Sequence, residues 1–464
     1  MDVRVKFLGA AKTVTGSKYY LEIDDFNLLV DCGLFQGLKE QRLRNWSELP
    51  VDVNKIDAVV LTHAHIDHSG YLPRLVKDGF SGPIYCTSAT ASLLEIMLRD
   101  AAKLQEEEAE FARKKGYSRH ENPQPLFNSD DAEAALSMLV PHPYKKTITI
   151  SDRVQVSFYD AGHILGSSIV ELLLHGSTQQ KKIVFSGDLG RYNQPLLHDP
   201  TTMKEADILF IESTYGDRLN TNEDLAEEFA TIVNGALDKG GCLLIPSFAV
   251  GRTQLLLYYF HYLFENKLVP EIPVYVDSPM AISATQIHKK HREDHKLSEG
   301  REDSVFDNAF FKYYRSQESS LNLNDVNNQA IIISASGMCT GGRILHHLYH
   351  RLPRKNDTLL FTGYQAEGTR GRRLLEGEPT SRIFGIDVPV KCHVKHINGL
   401  SAHGDQAELL RWAGNYKNAP KMTFVVHGEE KGATIMARKL QKELNWPNVV
   451  VPNYLESFEL FSAI

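Results

Sequence analysis

Residues 63–68 read HAHIDH, so three imidazoles and a carboxylate fall within six positions. Neutral imidazole nitrogen and carboxylate oxygen are donors that zinc accepts, as do manganese and iron. In an extended segment His63 and His65 point the same way, because side chains two apart share a face. Asp67 and His68 follow where the chain turns toward a helix starting near SGYLP. That turn lets the first pair face one cation and the second pair another. Two cations need further ligands and a bridge between them. His163 in DAGHILGSS, Asp188 in FSGDLG and His427 in VVHGEEKG each stand at a strand end among small residues that permit close approach. A carboxylate such as Asp188 can bridge two cations, which neutral imidazole does not.

Side chains so far apart in sequence need a scaffold of strands that deliver them to one place. The first half supplies short apolar runs of strand character: RVKFLG, KYYLEI, NLLVDCG, DAVVLTH, PIYCTS, VQVSFYDAGH, SSIVELLL, KIVFSGD and DILFIEST. Several end in Asp, His or Glu, where an α/β scaffold presents its chemistry. Residues 88–115 predict one long helix whose acidic run forms a solvated face, and RHENPQP at 119–125 breaks the pattern. After residue 212 helices such as NEDLAEEFATIVNGALDKG and RTQLLLYYFHYLFEN alternate with the strands GCLLIPS, PVYVDS, QAIIISAS and TLLFTGYQ. This is the order of a parallel sheet covered by helices. From about 390 strand–loop–helix units return, which predicts one domain inserted into another.

The chain has 464 residues, 42% of them hydrophobic, enough for a large core and more than one domain. Its net charge of −7 means that any attraction to phosphate must come from local basic patches or bound cations. Five cysteines, none in a C-x-x-C pair, argue against a disulfide framework and for a reducing compartment. The opening MDVRVKFLG reads as a strand rather than a leader, and no apolar run reaches membrane-spanning length. The expectation is a soluble cytoplasmic protein with no membrane partner.

HAHIDH, the Gly-His of AGHILG, SGDLG, and Asp31 in LLVDCG together resemble the motifs of the metallo-β-lactamase fold. Glu212 in ILFIEST, His403 in LSAHGDQAELLRW and His427 in FVVHGE resemble motifs A, B and C of its β-CASP nuclease branch. SFAVGRTQ, SASGMCTGGRILHH and GYQAEGTRGRRL are similar to segments of that branch's inserted domain, in the type that processes mRNA 3′ ends. The resemblance implies an α/β fold: an αββα sandwich over 1–212 and 389–464, with a β-CASP domain inserted at 213–388. It implies two Zn²⁺ per chain, with Mn²⁺ also compatible with the donors. His63, His65, His163 and Asp188 would hold one; Asp67, His68, Asp188 and His427 the other. Asp31 would orient a ligand histidine or the bound water. The implied activity is hydrolysis of single-stranded RNA in processing or decay, by water activated between two cations. Asp67, Asp31, Glu212 and His403 are the expected catalytic residues, with His403 protonating the leaving ribose oxygen and Glu212 holding its ring. Asp405 is the better helix cap, which leaves His403 for that task. A histidine as motif C favours RNA over DNA. Endonuclease and exonuclease modes both stay open, and homodimers occur among such proteins, though no segment here specifies one.

Strand-holding contacts are expected in the insert: Ser336, Gly337, Gly341, Gly342 and Arg343 at one glycine-rich loop, Arg370, Arg372 and Arg373 at another, and Arg252 at a third helix start. His346 and His350 stand at helical spacing but lack a third ligand, and His393 and His396 would face opposite sides of a strand. HKKHREDHK, residues 288–296, reads as a solvated helix face. Rival readings are a DNA nuclease on the same scaffold, a small-molecule hydrolase, and a non-catalytic RNA-binding subunit. The insert argues against the second, and the complete set of expected ligand types against the third.

Overall fold

The structure is a computed structural model that describes residues 1–115, 123–177, 179–220, 225–297, 301–327 and 329–463. The chain forms two compact units. One comprises Met1–Gln194, His198–Leu219 and His403–Ile464, the other Pro195–Leu197 and Asn220–Ala402.

The first unit contains two seven-stranded sheets. In one, Ser457–Phe461, Val3–Phe7, Tyr19–Ile23, Phe26–Val30, Ala58–Val60, Ile84–Thr87 and Leu139–His142 lie side by side. In the other the order is Val449–Val450, Met422–Val426, Ile208–Glu212, Gln180–Phe185, Ser168–His175, Val154–Asp160 and Thr147–Ser151. Alternation decides which faces meet. Val3, Val5 and Phe7 are buried while Arg4 between them is exposed. These residues join Leu21, Val30, Phe158, Leu172, Phe185, Phe210 and Phe424 in one core. Phe185 and Phe210 stack at 4.2 Å.

Ile208–Glu212 has no exposed face, because Leu209 and Ile211 pack on the other side with Leu409 and Trp412 of helix Gln406–Ala413 and Met436 of helix Glu430–Glu443. A strand buried on both sides reads as a continuous apolar run, which ILFIE is. Asp405 caps Gln406–Ala413 in a reciprocal box with Glu408.

The second unit holds a six-stranded sheet, paired in parallel throughout: Phe311–Tyr313, Val274–Asp277, Ile331–Ser334, Leu243–Pro246, Thr358–Phe361 and His393–His396. Helices Leu225–Leu237, Arg252–Glu265 and Pro279–Lys290 contribute Phe229, Phe260 and Ile282 to the core on one face; Ile344, Leu348 and Leu374 belong to the other. Because His393–His396 pairs with Thr358–Phe361, this stretch lies in the second unit, beyond the expected return to the host at 389.

Ser88–Lys115 is the expected long helix, and its acidic stretch is largely exposed. The break at 119–125 and the start of the helix near residue 222 fall partly outside the described residues. One expectation is overturned. Residues 288–296 are not a solvated face: the helix ends at Lys290, and His288 and His295 are buried, their rings stacked at 6.0 Å. Burial pushes the His288 pKa down to about 3, so it packs as a neutral ring beside Phe306. No helix among the described residues is long and apolar enough to cross a membrane.

Candidate metal centre

Every expected ligand sits in the first unit, most of them in loops that follow strands, with His65 preceding and Asp67 and His68 within the short helix Ile66–Ser69. Asp31 follows Phe26–Val30, His63 follows Ala58–Val60, Asp188 follows Gln180–Phe185 and His427 follows Met422–Val426. Asp31 (φ +58°) and His427 (φ +46°) adopt the left-handed conformation, a local bend costing about 1 kcal/mol that surrounding contacts must hold. Gly33 lies so close to the Asp67 carbonyl that any Cβ would collide with it. The loop after Asp31 can therefore support the turn bearing Asp67 and His68 only with glycine there.

The ligand atoms form two groups. His63 Nε2 lies 3.1 Å from His65 Nδ1 and 3.5 Å from Asp188 Oδ2; His163 Nε2 lies 3.2 Å and 3.5 Å from the same two atoms. On the other side His68 Nε2 lies 3.0 Å from His427 Nε2 and 3.3 Å from Asp188 Oδ1, and His427 Nε2 is 3.4 Å from Asp67 Oδ2. Around a tetrahedral cation with bonds of about 2.0–2.1 Å, neighbouring donors stand about 3.3–3.4 Å apart. Both groups have that spacing, and the two oxygens of Asp188 belong one to each. Asp188 Oδ1 is buried and accepts no hydrogen bond. The donor set thus fits divalent cations.

Charge gives the same answer. Asp31, Asp67, Asp188 and Glu212 cluster here, three of them almost wholly inaccessible, and none forms an ion pair with lysine or arginine among the described residues. Buried carboxylates need a positive partner. Burial holds His65 down to about 4 and His63 well below its ordinary value, which keeps both neutral and able to donate a lone pair.

Hydrogen bonds fix which nitrogen each ring offers. Asp31 accepts from the Thr62 amide at 2.7 Å and from its hydroxyl at 2.9 Å, and His68 Nδ1 donates to Asp31 Oδ2 at 2.8 Å. With its proton given to Asp31, Thr62 Oγ1 accepts from His63 Nδ1 at 3.0 Å. Both rings therefore turn Nε2 toward the centre. Thr214 repeats the device: its hydroxyl donates to the His427 carbonyl at 3.2 Å and accepts from His427 Nδ1 at 3.0 Å. Sequence reasoning missed Thr62 and Thr214. Their only signal is a threonine beside the motif residue, in LTH and EST.

His403 enters from the loop before Gln406–Ala413. Its Nδ1 lies 3.2–3.3 Å from both carboxylate oxygens of Glu212 and its ring 4.4 Å from that of His163. Glu212 is fully buried and also accepts from the Leu189 and Thr214 amides. Burial opposes a charge on His403, but Glu212, then Asp188 and Asp67, raise its pKa to about 9.

The residues singled out in the insert belong to the second unit and are engaged within it. Arg343 donates to Asp277 at 2.6 Å and to the Arg315 carbonyl at 2.6 Å; Arg252 donates to the Thr362 carbonyl; Arg370 donates to the Cys339 and Arg382 carbonyls. Arg372 pairs with Glu376 and Arg373 with Glu378. Ser336 Oγ accepts from the Thr340 and Gly341 amides, closing its own loop; Gly337 packs against Phe248, and Gly342 takes φ +78°. His346 and His350 are exposed on their helix, and neither they nor His393 and His396 belong to any metal-ligand group among the described residues.

Two stacked sheets with histidines and aspartates at their strand ends define a metallo-hydrolase of the metallo-β-lactamase type. Residues 13–228 match the metallo-beta-lactamase superfamily, residues 253–374 the Beta-Casp domain, and residues 387–452 the Zn-dependent metallo-hydrolase RNA specificity domain. Ribonuclease TTHA0252 of Thermus thermophilus is 36% identical over 445 residues, spanning 94% of this chain and 96% of that one. The transcription termination factor FttA of Methanocaldococcus jannaschii is 32% identical, over 92% of this chain and 67% of its own. A crystal structure of a protein of unknown function from Enterococcus faecalis V583 shares the fold, with a TM-score of 0.56 at 13% identity, covering 99% of this chain and 100% of that one. The chain belongs to the β-CASP family of metallo-β-lactamase-fold nucleases.

Proposed function

We propose that this protein is a metal-dependent ribonuclease that hydrolyses phosphodiester bonds of single-stranded RNA, using two divalent cations, zinc in the first instance. The observation that carries the reading is the pair of donor groups that share Asp188, with His403 beside them. Similarity to a ribonuclease across nearly the whole chain, and the RNA specificity match, favour RNA over DNA. The intact ligand set argues against a non-catalytic subunit.

Cations held there would make hydroxide available near neutral pH and offset charge building on the scissile phosphate. The chain's own residues do the rest. Asp188 and Asp67 supply oxygen donors, and Thr62, Thr214 and Asp31 hold the imidazoles in the ligand tautomer. Glu212 keeps His403 protonated and aligned through Nδ1, so Nε2 is the nitrogen from which a proton passes to the departing ribose oxygen.

Digestion of circular single-stranded RNA and of a DNA strand of the same sequence, with added Zn²⁺ or Mn²⁺, tests this. Cleavage of RNA and sparing of DNA are expected, and cutting of the circle would assign an internal mode. DNA cleavage at an equal rate would overturn the RNA assignment, and metal-loaded protein inert on both would overturn the nuclease reading.

A further inference from the structure

We infer that a rigid aromatic and cationic platform built from Arg44, Trp46 and Tyr454 is a second contact for single-stranded RNA, beside the metal centre in the first unit. The inference rests on the ribonuclease reading and extends it to a place no sequence motif marks. Its starting point is a contrast. The arginines expected to hold RNA all bond to neighbouring carbonyls or carboxylates. Arg44 has no such partner among the described residues; its guanidinium lies 4.2 Å over the Tyr454 ring and 5.4 Å from that of Phe35. A guanidinium on an aromatic face keeps its N–H edge for a phosphate.

Trp46 stands two residues on, 52% exposed, in the short 3-10 turn Arg44–Trp46. The other two tryptophans, Trp412 and Trp446, are buried. Trp46 does not stand alone, because Leu38 and Leu43 of the same stretch are 44% and 55% exposed, and grouped apolar exposure marks a contact surface. The turn is also held stiffly. Asn45 between the two residues is buried, accepts from the Phe35 amide at 2.9 Å and donates to the Phe35 carbonyl at 2.8 Å. A side chain locked at both ends aims its neighbours outward in one arrangement, which lowers the ordering cost of binding.

The platform is tied to the centre by short connections. Phe35 is four residues beyond Asp31, so their Cα atoms are within about 14 Å of each other even if the chain is fully extended. The Gln36 amide donates to Thr15 Oγ1 at 3.1 Å, the Ala10 amide to the Thr15 carbonyl at 3.3 Å, and the His427 amide to the Ala10 carbonyl at 2.8 Å. Asn45 joins Trp46 to this frame through Phe35, and a strand held at the cations is inferred to run on to Trp46. Cation and stacking surface side by side are what a strand bound without base-pairing requires. Leu43, 55% exposed nearby, would also suit a protein partner, but an unpaired guanidinium held on a ring favours a polyanion.

The test uses His403→Ala protein loaded with Zn²⁺ and a single-stranded RNA long enough to span from the cations to Trp46. Because Trp46 is the exposed indole, RNA is expected to quench tryptophan emission, and Trp46→Phe in that background is expected to abolish the quench. Arg44→Ala and Trp46→Ala are each expected to weaken affinity about ten-fold, and Arg44→Ala to flatten the plot of log affinity against log salt by about 0.7. In otherwise natural protein, the ratio of turnover on this RNA to turnover on a small chromogenic phosphodiester should fall about ten-fold with either substitution. If the quench survives Trp46→Phe, or the ratio and the salt slope stay as they were, the platform is not an RNA contact. A change of oligomeric state in Trp46→Ala with RNA affinity retained would assign the surface to a protein partner and overturn the inference. Failure of the ribonuclease reading shows up separately, as natural protein that cleaves the small diester but not RNA.

Discussion

At Glu212 one buried carboxylate faces two ways, accepting backbone amides on one side and His403 on the other. Its effect is electrostatic. Against burial, Glu212 raises the His403 pKa, so the imidazolium persists to higher pH than a free ring would allow, and the acid form is lost as pH rises through that raised value. Turnover is therefore expected to fall on an alkaline limb, and Glu212→Gln, which removes the strongest influence raising that pKa, should move the limb to lower pH; a limb that stays put would contradict the pairing. His403→Ala should cut turnover by about 10²–10⁴-fold with metal content retained, as elemental analysis would show. Thr62→Val removes the hydroxyl that orders Asp31 and His63, and should weaken metal affinity about 10–100-fold in chelator competition. Unchanged affinity would mean the rings need no such support. The proposed ligands stand out in sequence because each is a motif residue in a loop or short helix that follows a strand. Thr62 and Thr214 do not, since their task depends on which ring the fold brings to the hydroxyl.

Among the elements, Ile208–Glu212 links core and site. Its buried faces fasten it between Phe185 and Phe424 on one side and Trp412 and Met436 on the other, and Glu212 is simply its last residue. Phe210→Ala should cost about 3–5 kcal/mol, read as a lower thermal midpoint for the first unit. The strand was readable as an apolar run. Leu139–His142 and Thr147–Ser151 were not singled out, because prolines and polar residues interrupt LVPHPYKKTITIS. Tertiary contacts also explain the arginines. Arg343 meets Asp277, 66 positions away, and Arg252 meets Thr362, 110 away, so sequence shows the cation but not its partner. His288 and His295 went astray for the same reason: a charged neighbourhood looked solvated until Phe306 and the helix end enclosed the rings. Asp277 is fully buried and also lies 2.7 Å from His347 Nε2. Asp277→Ala leaves three cationic or polar partners, Arg343, His347 and Ser320, unmatched and should destabilise the second unit by about 3–5 kcal/mol while metal binding persists. Loss of metal in that variant would show coupling to the first unit.

For the whole molecule, the parallel sheet of the insert and the stacked sheets of the host emerge from one alternation rule applied to different burial. Strands with one wet face alternate, as VRVKF does; strands covered twice do not, as LLIP and IIIS show. The proposed ligands lie wholly in the first unit, at distances suited to two cations. The most direct measurement is diffraction from crystals of the protein grown with Zn²⁺, using anomalous scattering at the zinc edge. Two peaks flanking the Asp188 carboxylate, about 3.5–4 Å apart, are the expected result. A single peak away from Asp188, or none with the protein folded, would contradict the two-cation centre and the nuclease chemistry built on it.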